Sequence, residues 1–211
     1  MKQKPKILVV GSGIIGASIA LSCANLGADV VVLEQYKLGG AASSTSFGWI
    51  NASFAESPAY FDLRNAAVIA FRNLKTELNL NDSVSWQGTL WWEDSGQGLK
   101  KQFNNLLDRG YAAKLLNKNE IKNLEPNLKD VPEAAIFTPL EGAAEADQVA
   151  LTMLRKLTDE GGKVISGCTV EGLQFKKNRV SCVKTNIGKM SCDMVVLATG
   201  AAAQNLSLIH I

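Results

Sequence analysis

The chain has 211 residues, 46% hydrophobic and 20% charged, enough apolar matter to bury the core of one domain or of two small ones. Its 22 basic and 20 acidic residues leave a formal net charge of +2, and no Lys/Arg run interleaved with aromatic residues tracks a phosphate backbone, which argues against nucleic acid as a partner. The cysteines Cys23, Cys168, Cys182 and Cys192 are scattered without a CxxC pair, so neither a metal site nor a disulfide framework is expected and a reducing cytoplasm fits best.

Residues 1–23, MKQKPKILVVGSGIIGASIALSC, join a basic start to an apolar stretch and a Ser-Cys pair, and so imitate an export signal. Gly11, Gly13 and Gly16 break that stretch at a spacing a signal peptide does not need. No stretch elsewhere reaches the roughly 18 uninterrupted apolar residues of a membrane span. Ile7 to Val10 is short, apolar and rich in β-branched residues, the pattern of a parallel strand buried on both faces. Gly11-Ser12-Gly13-Ile14-Ile15-Gly16 follows at once. The first glycine permits a tight turn, the second lets a pyrophosphate approach the backbone, and the third lets a helix pack close to the sheet. Ile14, Ala17, Leu21 and Ala24 recur at helical spacing, with Gly27 as the stop. The start of such a helix aims free N–H groups and its positive dipole end at phosphate. A second apolar strand, Val30 to Leu33, ends in Glu34, whose carboxylate can accept from both ribose hydroxyls of an adenosine. Strand, glycines, helix, strand and acid in this order predict a dinucleotide cradle. FAD and NAD share the unit, which by itself leaves the choice between them open.

The residues after Glu34 discriminate. An NAD domain usually returns promptly to a helix, whereas Tyr36 to Pro58 form a Gly/Ser-rich loop with little helical periodicity, long enough to wrap an extended cofactor. Glu34, Gly40-Ala41-Ala42-Ser43-Ser44 and Phe47-Gly48-Trp49 resemble the flavin-wrapping loop of the D-amino acid oxidase superfamily, which includes glycine oxidases, sarcosine oxidases and bacterial D-amino acid dehydrogenases. The resemblance implies FAD as the cofactor. It would be held by Gly11, Ser12, Gly13, Ile14, Ile15 and Gly16, by Glu34 and Gln35 at the strand end, and by Ala42, Ser43 and Ser44, with the two serines on the pyrophosphate. Phe47, Gly48 and Trp49 would lie near the isoalloxazine ring, although a tryptophan between Gly48 and Ile50 serves equally well as core packing.

Leu63, Ala67, Ala70, Phe71 and Leu74 give residues 60–78 the period of a long amphipathic helix, with Arg64 and Arg72 read as solvated. Trp86 to Glu93 reads as one strand, with Trp86, Gly88, Leu90 and Trp92 on one face and Gln87, Thr89, Trp91 and Glu93 on the other. Packing in a small sheet is the expected role of these tryptophans, a border to a substrate pocket the alternative. Residues 102–108, 118–124 and 147–159 read as helices, and Ala134 to Asp147 as a strand and turn leading into the last of them.

Lys163 to Asp193 alternates as short strands joined at Lys177-Asn178 and Asn186-Ile187-Gly188. Met194 to Leu197 form another buried strand, ending in Ala198-Thr199-Gly200, which resembles the turn with which flavoproteins of this type return beneath the cofactor. The resemblance also nominates Val170, on a strand that offers backbone groups to the adenine. It implies an α/β architecture: a Rossmann-like FAD-binding domain with a parallel sheet, residues 1–84 and 146–205, interrupted by a partial α+β substrate domain with an antiparallel sheet, residues 85–145. A second GxGxxG, which a flavoprotein reduced by NAD(P)H would usually carry, does not occur.

The last residues, Leu206 to Ile211, match the in-frame translation of a transposase adapter used in making sequencing libraries, and chains of this family run well past the ATG turn. An N-terminal fragment with an artefactual tail, 206–211, is therefore expected. The single histidine, His210, falls in that tail and is no candidate base. The implied function, for the full-length protein, is FAD-dependent oxidation of an amine or amino acid, of the D-amino acid, glycine or sarcosine type, by hydride transfer to the flavin, and the fragment as given is expected to be inactive. Dioxygen or a quinone would accept the electrons, and no metal is expected. Catalytic residues stay unassigned, because in the family the groups that clamp the substrate carboxylate come largely from segments after the ATG turn. An NAD-dependent dehydrogenase and a truncated cofactor-binding fragment without catalysis are the alternatives. The expected location is cytoplasmic, with peripheral association with the inner membrane left open, and the oligomeric state is not readable.

Overall fold

The computed structural model describes residues 4–93 and 95–203, so the expected tail at 206–211 lies outside the described residues. In chain order the elements are β1 (Lys6–Val10), α1 (Ile14–Asn25), β2 (Asp29–Glu34), α2 (Ala41–Ser44), β3 (Trp49–Ile50), α3 (Pro58–Glu77), β4 (Val84–Ser85) and β5 (Thr89–Trp91). They continue with α4 (Gly96–Asp108), β6 (Lys114–Asn117), α5 (Lys118–Leu124), β7 (Ala134–Thr138), β8 (Gly142–Ala144), α6 (Ala146–Asp159), β9 (Lys163–Ser166), β10 (Val170–Lys176), β11 (Arg179–Thr185), β12 (Gly188–Ser191) and β13 (Met194–Leu197). Two compact units result, one of residues up to Gly48 and from Glu145 on, the other of Trp49–Ala144. The break puts residues 49–84 with residues 85–144 and not with the glycine loop.

In the first unit β13, β1, β2 and β9 form one parallel sheet in that order, with Val10 opposite Leu197 on one side and Leu33 on the other. Parallel pairing fits strands that are apolar along their whole length, and Leu8, Val9, Val30 and Val32 are buried accordingly. Each such side chain contributes about 1.5–3 kcal/mol by leaving water. Helix α1 packs against α6, whose Val149, Ala150, Met153, Leu154 and Leu157 form one apolar stripe. Strands β10, β11 and β12 make an antiparallel meander, and the positive φ of Lys177 and Asn178 turns the first hairpin as the sequence anticipates. All parallel strands point the same way, so the segments after β1, β2 and β13 gather at one end of the sheet, where open α/β sheets bind their ligands.

The second unit carries two three-stranded sheets, β3-β8-β4 and β5-β7-β6, both antiparallel, so the chain is α/β with a parallel sheet and separate antiparallel ones, as expected. Helix α3 starts at Pro58 because the Ser57 hydroxyl accepts from the Tyr60 amide and proline tolerates the first turn. Phe61, Val68, Trp91, Leu99, Leu106, Tyr111 and Ile136 form this unit's core. The single strand expected over Trp86 to Glu93 is not there. Gly88, at φ +84°, breaks it, and a Cβ at that position would come within 2.5 Å of the Phe137 ring. Trp91 is buried in consequence while Trp92 faces outward. Among the described residues no helix is long and apolar enough to cross a membrane, and no three His, Cys, Asp or Glu side chains are grouped to hold a metal.

Candidate functional site

The glycine loop, Glu34 and the ATG turn come together at the C-terminal end of the parallel sheet. The Gly11 amide donates to the Leu33 carbonyl at 2.8 Å and the Ala198 amide to the Val10 carbonyl at 2.8 Å, which ties three strand ends into one floor. Gly11, at φ +104°, leaves no room for a side chain, since a Cβ would lie 2.4 Å from the Ala198 carbonyl oxygen. Gly16 is just as confined, with the Gly11 carbonyl oxygen 2.0 Å from where its Cβ would be. These two glycines serve the protein's own packing.

Gly13 does not. It caps α1 with ordinary extended backbone, φ −65° and ψ 177°, and a Cβ there would meet only the Ser43 hydroxyl at 3.4 Å and the Gly40 Cα at 3.8 Å. The bare Gly13 backbone therefore borders space that the protein does not fill. The first intrahelical bond of α1 runs from the Ala17 amide to the Gly13 carbonyl, which leaves the amides of residues 14–16 without helical partners. Ser43 covers one of them, accepting from the Ile14 amide at 3.1 Å. Those of Ile15 and Gly16 keep their anion-binding capacity at the positive end of the helix dipole.

Ser12 is fully buried, and its hydroxyl is committed: it donates to Glu34 Oε2 at 2.7 Å and accepts from the Gly39 amide at 3.3 Å. The Ser12 amide donates to the same Oε2 at 2.9 Å, and the Tyr36 amide to Oε1 at 2.9 Å. Three donors hold the Glu34 carboxylate in place, and its two oxygens retain acceptor capacity for a ligand hydroxyl. The second loop is drawn onto the first by Gly40, at φ +78°, where a Cβ would come within 2.6 Å of the Gly13 Cα. Gly40 enters the sequence reading only as part of the loop motif, with no contact of its own assigned to it.

The remaining candidates are placed less uniformly. Ser44 turns its hydroxyl back to the Ala41 carbonyl at 2.9 Å, and Ala42 and Ile15 are exposed. Gln35 bonds the Tyr36 hydroxyl at 3.0 Å. Gly48 ends the first unit at φ +64° just after the exposed Phe47. Trp49 belongs to the second unit, donating from Nε1 to Thr89 Oγ1 at 2.9 Å and meeting Phe54 edge-on at 5.3 Å between centroids. Val170 opens β10 and packs on the cluster of Leu8, Val31 and Leu33. Beside Gly200, Thr199 Oγ1 is buried with no hydrogen-bond partner among the described residues.

The family profile described as "FAD dependent oxidoreductase" (DAO) matches residues 6–210. The chain belongs to this family of FAD-dependent oxidoreductases. Family membership resolves the choice that the βαβ unit left open, in favour of FAD and against NAD. The chain is 25% identical over 215 residues to the mouse mitochondrial pyruvate dehydrogenase phosphatase regulatory subunit, covering 99% of this chain and 24% of that one. It is 24% identical over 251 residues to a Helicobacter pylori D-amino acid dehydrogenase, covering 94% and 60% respectively. The crystal structure of Bacillus cereus glycine oxidase superposes with a TM-score of 0.88 at 21% identity, over 98% of this chain and 58% of that one, which shows a common fold. In each case the chain spans less than two thirds of its relative's length.

The residues present fit the cofactor of this family. The space at Gly13, the uncapped amides of Ile15 and Gly16 and the unpartnered Thr199 hydroxyl are each left over once the protein's own needs are met. In the second unit two arginines take on roles that local sequence does not announce. Arg64, read as solvated, instead donates to the Asn51 carbonyl and to the Phe54 carbonyl, each at 3.1 Å, and to Asn51 Oδ1. Arg72 stacks on Trp86 at 4.3 Å and bonds the Leu140 carbonyl at 2.9 Å.

Proposed function

We propose that the first unit seats FAD, with Gly13 and the first turn of α1 holding the pyrophosphate, and that the protein oxidises an amine or an amino acid. The observation that carries this reading is the room beside Gly13, which no packing or backbone requirement of the chain explains. When bound, the flavin supplies the hydride acceptor. The Ile15 and Gly16 amides donate to phosphate oxygens, and the Ser43 hydroxyl, which accepts from Ile14, keeps its own proton for another. Glu34 accepts from a ribose hydroxyl. Ser12 reaches the cofactor only through Glu34, because its hydroxyl is buried and doubly engaged. Thr199 offers one further hydroxyl at the end of β13.

The names of the relatives support a D-amino acid, glycine or sarcosine type of substrate; dioxygen or a quinone would accept the electrons. The test is to purify the full-length protein, release and identify the flavin, and follow its bleaching anaerobically with glycine, sarcosine and a panel of D-amino acids. Bleaching by one substrate class supports the assignment. Bound FAD that no amine bleaches would favour a second reading, a cofactor-binding chain without catalysis, for which the regulatory relative speaks.

A further inference from the structure

The parallel sheet gives the proposed cofactor a direction. Its strand order is β13-β1-β2-β9, the glycine loop follows β1, and Glu34 ends β2. A dinucleotide with its pyrophosphate on α1 and its ribose at Glu34 runs from β1 toward β2, and its base comes next to the segment that follows β9. Glu34 and Ser166 are the last register pair of β2 and β9. The turn after Ser166 stays against Glu34, because the Cys168 amide donates to the Glu34 carbonyl at 2.9 Å. Cys168 is buried there, whereas Gly167 is exposed, with open space where a Cβ would be.

This turn has little regular structure of its own to hold it. Gly167, at φ +68°, follows the end of β9, and the ladder of β10 with β11 passes from Val170 opposite Thr185 to Gly172 opposite Lys184, leaving Glu171 out of register. What holds it comes from the hairpin between β11 and β12. The Asn186 amide donates to the Thr169 carbonyl at 3.1 Å, the Thr169 amide donates to Asn186 Oδ1 at 2.8 Å, and Asn186 Nδ2 donates to the Gly167 carbonyl at 3.0 Å. One side chain thus grips the residues on either side of Cys168. Thr185 fixes Asn186 from behind: its hydroxyl donates to the Gly188 carbonyl at 2.7 Å and accepts from the Ile187 amide at 3.3 Å. The hairpin itself needs no such outreach, since Thr185 opposite Gly188 and Lys184 opposite Lys189 close it.

We propose that Asn186 is a positioning residue for the adenosine end of the cofactor: it clamps residues 167–169 beside Glu34, so that the base meets a turn already in place, and FAD affinity depends on it. The inference rests on the FAD reading of the first unit, and every residue it invokes belongs to that unit. A loose turn that a ligand must order draws on the interaction energy, whereas a clamped turn does not. The loss on removing the clamp lies in the adenosine half of the cofactor, so ADP should register it as fully as FAD does.

The experiment titrates full-length apoprotein with FAD, read by flavin fluorescence, and with ADP, read by calorimetry, with a thermal melt of each variant alongside. Asn186→Ala is expected to weaken FAD and ADP by the same factor, about fivefold or more. Asn186→Asp keeps the acceptor for the Thr169 amide and loses the donor to Gly167, so at high salt, where its added charge is screened, it should fall between the parent and Asn186→Ala. Val180→Ala, at the other end of β11, should lower the melting temperature and leave both affinities unchanged. If Asn186→Ala fails to fold, Asn186→Asp decides by the same comparison with the parent. Parent-like FAD affinity in the variant that folds overturns the proposal, as does FAD affinity that falls without ADP affinity, or equal weakening by Val180→Ala. A parent that binds FAD but not ADP draws no affinity from the adenosine end and overturns it as well. A parent that binds no FAD overturns the cofactor reading and this proposal with it, whereas a parent that binds FAD beside an equally tight Asn186→Ala overturns this proposal alone.

Discussion

Gly13→Ala separates what the fold needs from what the cofactor needs. A glycine in such a loop is commonly explained by backbone freedom, but at φ −65° and ψ 177° any residue is at ease. The added methyl would make ordinary contacts, 3.4 Å to the Ser43 hydroxyl and 3.8 Å to the Gly40 Cα. Alanine is a poorer helix cap than glycine, so the apoprotein should lose about 1 kcal/mol or less, a shift of about 2–4 °C in Tm for a chain of this size. Binding should suffer far more. A methyl at the phosphate position would keep the pyrophosphate from the amides beneath it, and each charge-assisted hydrogen bond lost costs about 1.5–3 kcal/mol, so one alone weakens FAD tenfold or more. Circular dichroism melts of the apoprotein and fluorescence titration with FAD read the two effects separately. Gly16→Ala is the contrast, because its Cβ would lie 2.0 Å from the Gly11 carbonyl oxygen and the loop must move, so that variant should fold poorly whether or not FAD is present. Parent-like FAD affinity in Gly13→Ala would refute the reasoning, and so would a loss of stability equal to that of Gly16→Ala.

Three further outcomes follow from the same geometry. Ser12→Ala removes a donor to Glu34 and leaves the buried Gly39 amide without its acceptor, so the denaturant midpoint should fall by an amount corresponding to about 1.5–3 kcal/mol. Glu34→Ala strands the donors of Ser12 and Tyr36 as well as the ribose, so it should both lower apoprotein stability and weaken FAD by about tenfold or more in the same titration. In the second unit, burial and then the charge of Glu141 hold the Tyr111 phenol above its ordinary value of 10.0. The folded chain then keeps a proton that the unfolded chain gives up, so this contribution to stability is complete below about pH 10 and is lost as pH rises beyond it. Denaturation midpoints measured from pH 8 upward should fall more steeply in the parent than in Tyr111→Phe, and parallel curves would remove Tyr111 from the account.

What the sequence made legible was local. Val9 and Val32 lie on strands apolar along their length, and the glycine spacing that follows β1 is a property of neighbouring residues, so a parallel sheet with a cradle at its end could be read directly. The same holds for α5, whose Asn117–Glu120 capping box marks its start. What escaped depended on residues brought together from far apart. Glu141 looks like any acid in a turn until Ala52 and Ser53 arrive beside it, and Arg64 looks solvated until the segment after β3 folds back along α3. Gly88 reads as one member of an alternating strand because nothing local announces the Phe137 ring that packs against it. Ser12 and Ser43 are nominated by position, but the bonds that engage the Ser12 hydroxyl with Glu34 and Gly39, and that let Ser43 accept from Ile14, could not be read from it.

That occupation bears on how the site would bind. The Gly40 approach to Gly13, the Gly39 bond to Ser12 and the Ser43 bond to Ile14 bring the second loop to the glycine loop without any ligand between them. A cradle assembled by the chain's own contacts has already met much of the ordering cost that a floppy loop would meet on binding, so more of the interaction energy with FAD appears as affinity. The same arrangement restrains Glu34. A carboxylate beside a pyrophosphate would repel it if free to swing, but two bonds from Ser12 and one from Tyr36 hold it at the end of β2, where it can serve the ribose. Ser12 therefore matters to the cofactor through the charge it restrains. Loss of its hydroxyl removes one of these three bonds and should be felt more strongly at low ionic strength, where a less restrained Glu34 repels phosphate over a longer range, than at high salt. Titrating FAD into Ser12→Ala at two salt concentrations tests this: a deficit that does not shrink with added salt would mean that Ser12 acts only by packing the two loops together.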